Sequence, residues 1–263
     1  MKKTFKRFAP VALVFVAMTT LSFMAKISIS LRLRPEQGKT LTITSKANMM
    51  TMMEVQGQSM STSQSMETRQ LFTAKNVTDT QSDIETQIEA IKMTISQMGM
   101  KLEYDSEHPE KTSPMIAGQT KEFEQSLKKP VTVTYDALGH LVSDTTDLDM
   151  NQLSNIIIEL PDMILSKGSK WNSTKTQNVN GTEFKVNMEY TVTNLSKKSV
   201  DVSFTGNIES TEVSGTYNGT ASINPNTGLT TNSTTKSNIS MTLNEQGLSI
   251  PMTIVGTTTV EVK

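Results

Sequence analysis

The sequence contains no cysteine among its 263 residues. This absence excludes disulfide bonds, thiolate metal sites, cysteine nucleophiles and the lipidated N-terminal cysteine of a bacterial lipoprotein. Histidine is scarce as well, because His108 and His140 are the only two and lie in separate polar stretches rather than at metal-ligand spacing. We therefore predict that the protein has no metal site and needs no cofactor.

Aromatic residues are also few, at 5%, and charged residues make up 19% with a formal net charge of -1. A chain without a basic field cannot hold nucleic acid by counterion release, so nucleic acid is excluded as a partner. Threonine, serine and asparagine are abundant instead, and this composition is typical of half-buried strands joined by short polar turns.

Catalytic motifs are missing from the sequence too. There is no histidine pair, glycine-rich phosphate loop or activated serine context. The acidic stretch from Asp105 to Glu110 is interpreted as a solvated loop, because nothing in the sequence places two of its carboxylates across a cleft. We predict that the protein is not an enzyme.

The N-terminus has the order of an export signal. Four basic residues within the first seven precede an apolar run, Ala9–Met24, that is short for a membrane span. Cleavage after Ser22 or Ala25 is expected, which gives a signal peptide over 1–25, a β-rich mature domain over 26–263 and a periplasmic or secreted location. An uncleaved signal anchor is the alternative.

The mature sequence has a period of two in its apolar residues, which predicts β-strands. Ile29, Leu31 and Leu33 alternate before a turn at 35–38, and Leu41 and Ile43 resume the alternation, which predicts a hairpin. Further alternating runs are Gln70–Val77, Asp83–Ile95, Met100–Tyr104, Val131–Tyr135, Phe184–Val192, Val200–Ile208, Val213–Ile223, Leu229–Leu243 and Leu248–Val262. The fold class is therefore mainly β, with a large curved antiparallel sheet or half-barrel.

One strand carries a break in this alternation. The apolar parity changes between Ile88 and Ile91, which one inserted residue would produce. We predict a β-bulge there.

Two stretches have a helical rather than a strand period. Apolar residues between Met115 and Lys128 collect on one helical face ahead of Pro130. Residues Asp147–Leu160 do the same, with acidic residues in the first turn and Pro161 after the last. Two amphipathic helices are expected to cover the apolar face of the sheet.

An approximate internal repeat is visible. Phe72–Val77 is echoed by Tyr190–Leu195, and Val133–Leu141 by Ala221–Leu229. These similarities divide the mature chain into halves 26–169 and 170–263. A chance likeness between threonine-rich hairpins is the alternative.

Several short motifs resemble an uncharacterised family of exported Gram-negative proteins. They are Leu31–Pro35 with Gly38–Leu41, Tyr104–Ser106, Leu160–Asp162 with Gly168–Trp171, and Gly215–Gly219 with Thr227–Leu229. The resemblance implies a β-rich exported protein and supplies no catalytic residues. The pattern of strands and helices is also similar, at the level of fold, to periplasmic lipoprotein carriers, in which a half-barrel and lid helices enclose an acyl chain.

Methionine is unusually frequent, with 18 residues, of which only three lie in the first 25. Thioethers are soft ligands that select Cu(I), but a strand would place Met50 and Met52 on one face and Met49 and Met53 on the other. Flexible thioethers also line adaptable apolar cavities. The third interpretation is that these methionines simply fill the core of the sheet.

From these patterns we predict a non-catalytic exported protein that binds a lipid or other apolar ligand between sheet and helices. The predicted lining residues are Met93, Met98, Met100, Phe123, Ile156 and Ile157. The alternative is a structural or interaction protein of the cell envelope, with a solid core, no ligand and an envelope protein as partner.

Overall fold

The computed structural model of the protein describes residues 28–55, 57–116, 120–143, 156–179, 182–210, 213–245 and 248–263. Within these ranges the chain forms β-strands, one short α-helix and one 3-10 turn. The strands are β1 (Ile29–Ser30), β2 (Thr40–Val55), β3 (Gln58–Val77), β4 (Gln81–Gln97), β5 (Met100–Asp105), β6 (Val131–Asp136), β7 (Leu141–Ser143), β8 (Ile164–Leu165), β9 (Lys170–Val179), β10 (Thr182–Leu195), β11 (Val200–Glu209), β12 (Val213–Ile223), β13 (Thr230–Glu245) and β14 (Leu248–Val262). The 3-10 turn is Pro109–Lys111, and helix α1 is Lys121–Ser126.

A single antiparallel sheet of 12 strands dominates the structure. Its order is β7-β6-β4-β3-β2-β14-β13-β12-β11-β10-β9, and β5 pairs with the second half of β4. β14 pairs with β2 and so joins the strands of the first part of the chain to those of the second. Strands β1 and β8 form a separate pair. The predicted fold class, mainly β with a large antiparallel sheet, is confirmed.

The sheet has one apolar and one polar face, because successive side chains of a strand point to opposite sides. In β11 the side chains of Val200, Val202 and Phe204 are buried, whereas those between them are more exposed. We call the face that carries these three residues the inner face. The other, outer face is rich in threonine, serine, asparagine and charged residues.

One short segment contacts strands near both edges of the sheet. Trp171 in edge strand β9 donates a hydrogen bond from Nε1 to the carbonyl oxygen of Glu159 at 2.9 Å. The next residue, Leu160, donates its backbone N–H to the carbonyl oxygen of Leu138, in the β6–β7 turn, at 2.7 Å. In a flat sheet these edges would lie roughly 50 Å apart. The inner face is therefore strongly concave at this end of the strands, which we call the core end.

The main hydrophobic core fills the core end. Residues 31–35 and 156–165 lie over the inner face there, and Leu31, Leu33 and Leu165 are almost completely buried. They pack against large side chains from strands throughout the sheet, including Phe72, Ile84, Val133, Trp171, Val192, Val202, Ile223 and Val260. Irregular segments, rather than helices, thus cover this part of the sheet.

A second, smaller core lies beside the first under β4 and β5. Its buried members are Ile88, Ile91, Met93, Tyr104 and Ile116. Leu127, just after α1, packs against this cluster and forms an isolated parallel bridge with Ile88. Helix α1 is thereby held at the β4 side of the sheet.

The hairpins β3–β4 and β10–β11 repeat one arrangement at the core end. In the first turn Thr78 donates its backbone N–H to the carbonyl oxygen of Gln81 at 2.8 Å, and Ser196 does the same to Ser199 at 2.8 Å. The register shifts between Ala74 and Asn76 in one hairpin and between Val192 and Asn194 in the other.

The side chains beside these bulges are also equivalent. Asn76 Nδ2 donates to Asp83 Oδ2 at 3.3 Å, and Asn194 Nδ2 donates to Asp201 Oδ2 at 3.0 Å. The echo between the segments at Phe72 and Tyr190 thus corresponds to one shared turn geometry. The division of the chain into halves near residue 170 stays a prediction.

The β-bulge predicted in β4 is confirmed. Arg69 pairs with Ala90 and Gln70 pairs with Ile88, so Glu89 is the extra residue. The extra residue places Ile88 and Ile91 on the same face although they are three positions apart, and both are buried.

The hairpin predicted between Ile29 and Ile43 is wrong. Ile29 pairs with Leu165 in β8, and the chain from Leu31 to Lys39 is not a strand. Leu31 and Leu33 alternate because each fills the main core from an extended segment, not because this segment pairs with β2.

The predicted helices are largely replaced by other structure. The first is shortened from Met115–Lys128 to Lys121–Ser126, because Ile116 is in a turn that enters the second core. Of the second, residues 147–155 lie outside the described residues, and 156–160 are not helical. Ile156 and Leu160 are buried, and their backbones hydrogen-bond to Thr230 and Leu138 instead of to one another.

Within the described ranges no helix has the length and apolar character needed to cross a bilayer.

Candidate functional site

The inner face continues beyond the main core to the opposite ends of the strands, which we call the open end. The β2–β3 and β13–β14 hairpins, around Val55 and Leu248, lie there. Because antiparallel pairing fixes which residues stand opposite one another, the register arranges inner-face residues in rows that run across the strands. Two such rows form the candidate site.

The first row consists of four methionines on four adjacent strands. Met53 in β2 stands opposite Met60 in β3 on one side and opposite Met252 in β14 on the other. Met252 in turn stands opposite Met241 in β13. All four side chains are half-buried. We call these residues, Met60, Met53, Met252 and Met241, the methionine row; neighbouring strands place its ends about 14 Å apart.

The second row lies one pleat closer to the core end and crosses nine strands. We call it the central row, and from β9 to β4 it consists of Lys175, Val186, Ile208, Gly215, Ile239, Ile254, Thr51, Thr62 and Gln97. Its middle is aliphatic, and its β2–β4 end is polar and uncharged.

Gly215 lets the aliphatic residues of the central row meet. A Cβ atom at this position would lie 3.0 Å from Ile208 Cδ1 and 3.2 Å from Ile239 Cγ1. The two isoleucines therefore close over the glycine backbone and form a continuous apolar surface. Ile208 is buried, whereas Val186, Ile239 and Ile254 are half-buried.

The methionine row and the aliphatic middle of the central row are thus apolar and, apart from Ile208, only half-buried. Half-buried apolar side chains in a contiguous patch on a concave face are typical of a ligand-binding groove. The core end contrasts with this, since the cavity there, between Leu41, Phe72, Leu229 and Val262, has a volume of only about 140 Å³. At the open end, by contrast, Met53, Met252, Ile239 and Ile254 stay half-buried.

Charge is distributed very unevenly between the two faces. Ion pairs such as Lys46 with Glu67 at 3.3 Å and Lys170 with Glu189 at 3.0 Å lie on the outer face. The register places only two charged residues of the described strands on the inner face, Lys175 in β9 and Glu245 at the end of β13. Burial raises the pKa of Tyr217, an inner-face phenol, so its hydroxyl stays neutral at physiological pH.

The six residues predicted to line a cavity are distributed over three places. Met93 is buried in the second core, while Ile156 and Ile157 are buried in the main core. Met98 and Met100, at the β4–β5 turn, are 71% and 51% exposed. The side chain of Phe123 lies outside the described part of the chain. The described five therefore do not form a single lining, because the segments that carry them pack into separate cores.

The acidic stretch after β5 is held by local contacts. Asp105 accepts a hydrogen bond from the backbone N–H of Glu107 at 3.0 Å and lies 3.7 Å from Lys92 Nζ. Arg69 on the neighbouring strand makes ion pairs with Glu89 and Glu107. These carboxylates are thus paired with cations and backbone donors on the outer face.

Sequence reasoning missed the methionine row, although one signal for it was present. Alternation across residues 40–55 places Met49 and Met53 on the face of Ile43 and separates them from Met50 and Met52. What the sequence did not contain was the pairing of β2 with β14, which brings residues about 200 positions apart side by side.

Comparisons with known proteins identify the fold but no family. No family model matches the chain, and no curated protein is similar enough to count as a relative. The resemblance to an uncharacterised exported family therefore stays a prediction.

Among solved structures, lipovitellin shares the fold. The structure, which concerns lipid–protein interactions in lipovitellin, aligns with 87% of this chain at 12% identity and a TM-score of 0.55. The alignment covers 25% of that protein, so the chain spans about a quarter of lipovitellin's length. An outer membrane channel from Pseudomonas putida F1 aligns with 87% of this chain and 97% of its own at 7% identity, but its TM-score of 0.28 supports no conclusion.

Proposed function

We propose that the protein binds a lipid or similar apolar ligand on the open end of its inner face, without catalysing a reaction, and that it does so after export. The observation that carries this proposal is the methionine row beside the half-buried aliphatic middle of the central row, on the inner face of the sheet. An uncovered apolar surface of this kind is unfavourable in water unless something covers it.

Methionine is well suited to such a surface. Its unbranched thioether side chain changes rotamer at little cost, so a row of methionines can adapt to acyl chains of different length and saturation. The aliphatic central row beside it supplies a firmer floor of Val186, Ile239 and Ile254. Together they suit a long apolar ligand without a fixed shape.

The likeness to lipovitellin supports the proposal at the level of fold. That structure concerns lipid–protein interactions, and it aligns with 87% of this chain at a TM-score of 0.55. The sequence identity is too low to transfer any residue, so the argument rests on this chain's own inner face.

The alternative function is a structural or interaction protein with a solid core. It accounts well for the core end, where Leu31, Leu33 and Leu165 fill the space under the sheet. It leaves the half-buried methionine row without a role. Ligand binding accounts for both ends of the molecule.

Adjacent methionines of β2 provide a matched test. Met53 belongs to the methionine row, whereas Met52 points to the outer face and is 42% exposed. Binding of the fluorescent apolar probe N-phenyl-1-naphthylamine is measured by titration for the wild type, Met53→Lys and Met52→Lys.

We expect Met53→Lys to weaken probe binding by about tenfold or more, because it puts a charge into the apolar surface, and Met52→Lys to leave it unchanged. Native mass spectrometry of protein purified from its own cells should also detect a bound lipid. Absence of both probe binding and bound lipid, or equal loss in the two variants, would contradict the proposal.

A further inference from the structure

Lys175 occupies an unusual position in the central row. It stands opposite Val186 and is followed across the sheet by Ile208, Ile239 and Ile254. The only other charged residue that the register places on the inner face of the described strands is Glu245, at the far end of β13. A lysine beside aliphatic side chains is costly to desolvate unless its ammonium group has a polar or charged partner.

Within the protein Lys175 pairs with Glu159, but this contact is long. Lys175 Nζ lies 3.9 Å from Glu159 Oε1, an ion pair too long for a hydrogen bond. The other carboxylate oxygen of Glu159 accepts a hydrogen bond from Ser173 Oγ. Lys175 is 36% exposed and Glu159 17%, so the ammonium group is the more accessible member of the pair.

The surroundings of Lys175 leave its ammonium group open towards the inner face. Lys175 lies in β9, the last strand at this edge of the sheet among the described residues. An ammonium group has three N–H donors. An anionic oxygen approaching from the inner face can therefore accept a hydrogen bond that Glu159 does not receive.

The length of the central row suits an acyl chain. From β9 to β14 it crosses five strand spacings, about 24 Å along the sheet. The acyl chains of one membrane leaflet span about 15 Å, half of the bilayer's hydrocarbon thickness. A chain that starts at Lys175 can thus lie over Val186, Ile208 and Gly215 and end near Ile239, so the row accommodates its whole length.

We propose that Lys175 binds the anionic headgroup of an amphiphile whose acyl chain lies along the central row. The ligand class is a lipid that ends in a carboxylate or a phosphate. This inference rests on the proposed function and adds to it the orientation of the ligand and the charge of its headgroup.

The test compares ligands that share one chain and differ in headgroup. Dodecanoate, dodecyl phosphate and dodecanol each displace the apolar probe from the wild type, from Lys175→Met and from Lys175→Arg. Lys236→Met is the matched control, because Lys236 is an exposed lysine on the outer face of β13. Inorganic phosphate is titrated alone as a headgroup without a chain.

We expect the two anionic ligands to bind the wild type about tenfold more tightly than dodecanol, the contribution of one charge-assisted hydrogen bond. Lys175→Met should abolish this preference, so that the three ligands bind the variant with similar affinity. Lys175→Arg should restore the preference, and Lys236→Met should not alter it. Glu159→Gln should increase affinity for the anionic ligands, since it removes a competing carboxylate.

Three results would overturn the inference. The first is equal affinity of the wild type for anionic and neutral ligands. The second is an unchanged preference for anionic ligands in Lys175→Met. The third is that inorganic phosphate displaces the apolar probe as effectively as dodecyl phosphate does. In each case dodecanol still binds and the proposed function stands. Failure of the probe and of all three ligands to bind would refute the proposed function together with the inference.

Discussion

Trp171 in edge strand β9 donates its indole N–H to the carbonyl oxygen of Glu159 at 2.9 Å. The ring also stacks on Tyr190, with centroids 4.9 Å apart and an angle of 13° between the planes. Trp171 therefore fastens the edge of the sheet to the segment that crosses the core end. It sits four residues before Lys175 and fixes the strand that carries it.

Trp171→Phe should lower the free energy of unfolding by about 1 kcal/mol, because it loses the hydrogen bond and keeps most of the packing. Trp171→Ala should lower it by about 3–5 kcal/mol, because it also leaves a cavity. Urea unfolding followed by far-UV circular dichroism measures both, since the variants lack the only tryptophan. Equal effects of the two substitutions would show that the ring packing contributes little.

A close backbone contact at the core end makes a second prediction. Gly228 has a φ of +70°, and a Cβ atom there would lie 2.3 Å from the carbonyl oxygen of Arg32. Gly228→Ala should therefore destabilise the protein by about 3 kcal/mol, from backbone strain and from overlap with the chain above. Gly99 is the matched control, with a φ of +79° and open space around it.

Gly99→Ala should cost only about 1 kcal/mol, the strain of a positive φ alone. Thermal unfolding of the two variants separates the cost of backbone strain from the cost of the overlap with Arg32. If both lost the same stability, residues 31–35 would not pack against the β12–β13 turn as tightly as the contact with Arg32 implies.

Oxidation of methionine provides a footprint of the bound ligand. Hydrogen peroxide should convert Met98, which is 71% exposed, to its sulfoxide well before Met93, which is 4% exposed. The half-buried Met53 and Met252 should react at an intermediate rate. Peptide mass spectrometry gives the rate at each position.

Added dodecanol should slow the oxidation of the methionine row and leave the rate at Met98 unchanged, because the row belongs to the proposed binding surface and Met98 lies in the β4–β5 turn. Met52 on the outer face is the internal control within the same strand. Uniform slowing at all positions would indicate a general effect of the alcohol and count against binding at the open end.

Acid stability should depend on Asp201. A hydrogen bond from Ser199 Oγ, at 2.6 Å, is the largest effect on this carboxyl and lowers its pKa, and bonds from Asn194 and Ser222 act in the same direction. A folded-state pKa below the unfolded value stabilises the protein above that unfolded value, about pH 4, and the contribution is lost as the pH falls through the folded pKa.

Asp201→Asn should accordingly destabilise the protein at neutral pH, and the difference from the wild type should shrink below about pH 4. Asp79→Asn, on an exposed turn where the side chain is 92% accessible, should have little effect at any pH. Urea unfolding at a series of pH values measures both. A difference that does not vary with pH would mean that Asp201 acts through its shape rather than its charge.

Local sequence predicted the strands because each one buries only one face. Val200, Val202 and Phe204 alternate with polar residues, and this period is visible without any knowledge of the neighbouring strands. The bulge in β4 was equally local, since the change of parity between Ile88 and Ile91 records the extra residue directly. The length of β2 and β3 was underestimated, because methionine, serine and threonine blur the alternation in their outer parts.

Predictions of backbone conformation were less accurate where the structure depends on contacts between residues far apart in the sequence. Ile156 and Ile157 have helical spacing with Leu160, yet they pack in the main core from an irregular segment whose backbone bonds to Leu138 and Thr230. Leu31 and Leu33 alternate like a strand but fill the same core without pairing to β2. In both cases the apolar spacing was visible in the sequence and the backbone conformation was not, because tertiary contacts replaced the local hydrogen bonds.

The sequence by itself determined that the protein is an antiparallel β protein without disulfides, and which side chains share a face within each strand. Only the tertiary structure decided which strands lie side by side. Met53 and Met252 are neighbours because β14 pairs with β2, and Lys175 heads a row of isoleucines because four hairpins hold β9 to β13 in register. The physical reason is that period-two alternation is a property of one strand, whereas a binding surface is built from the register between many.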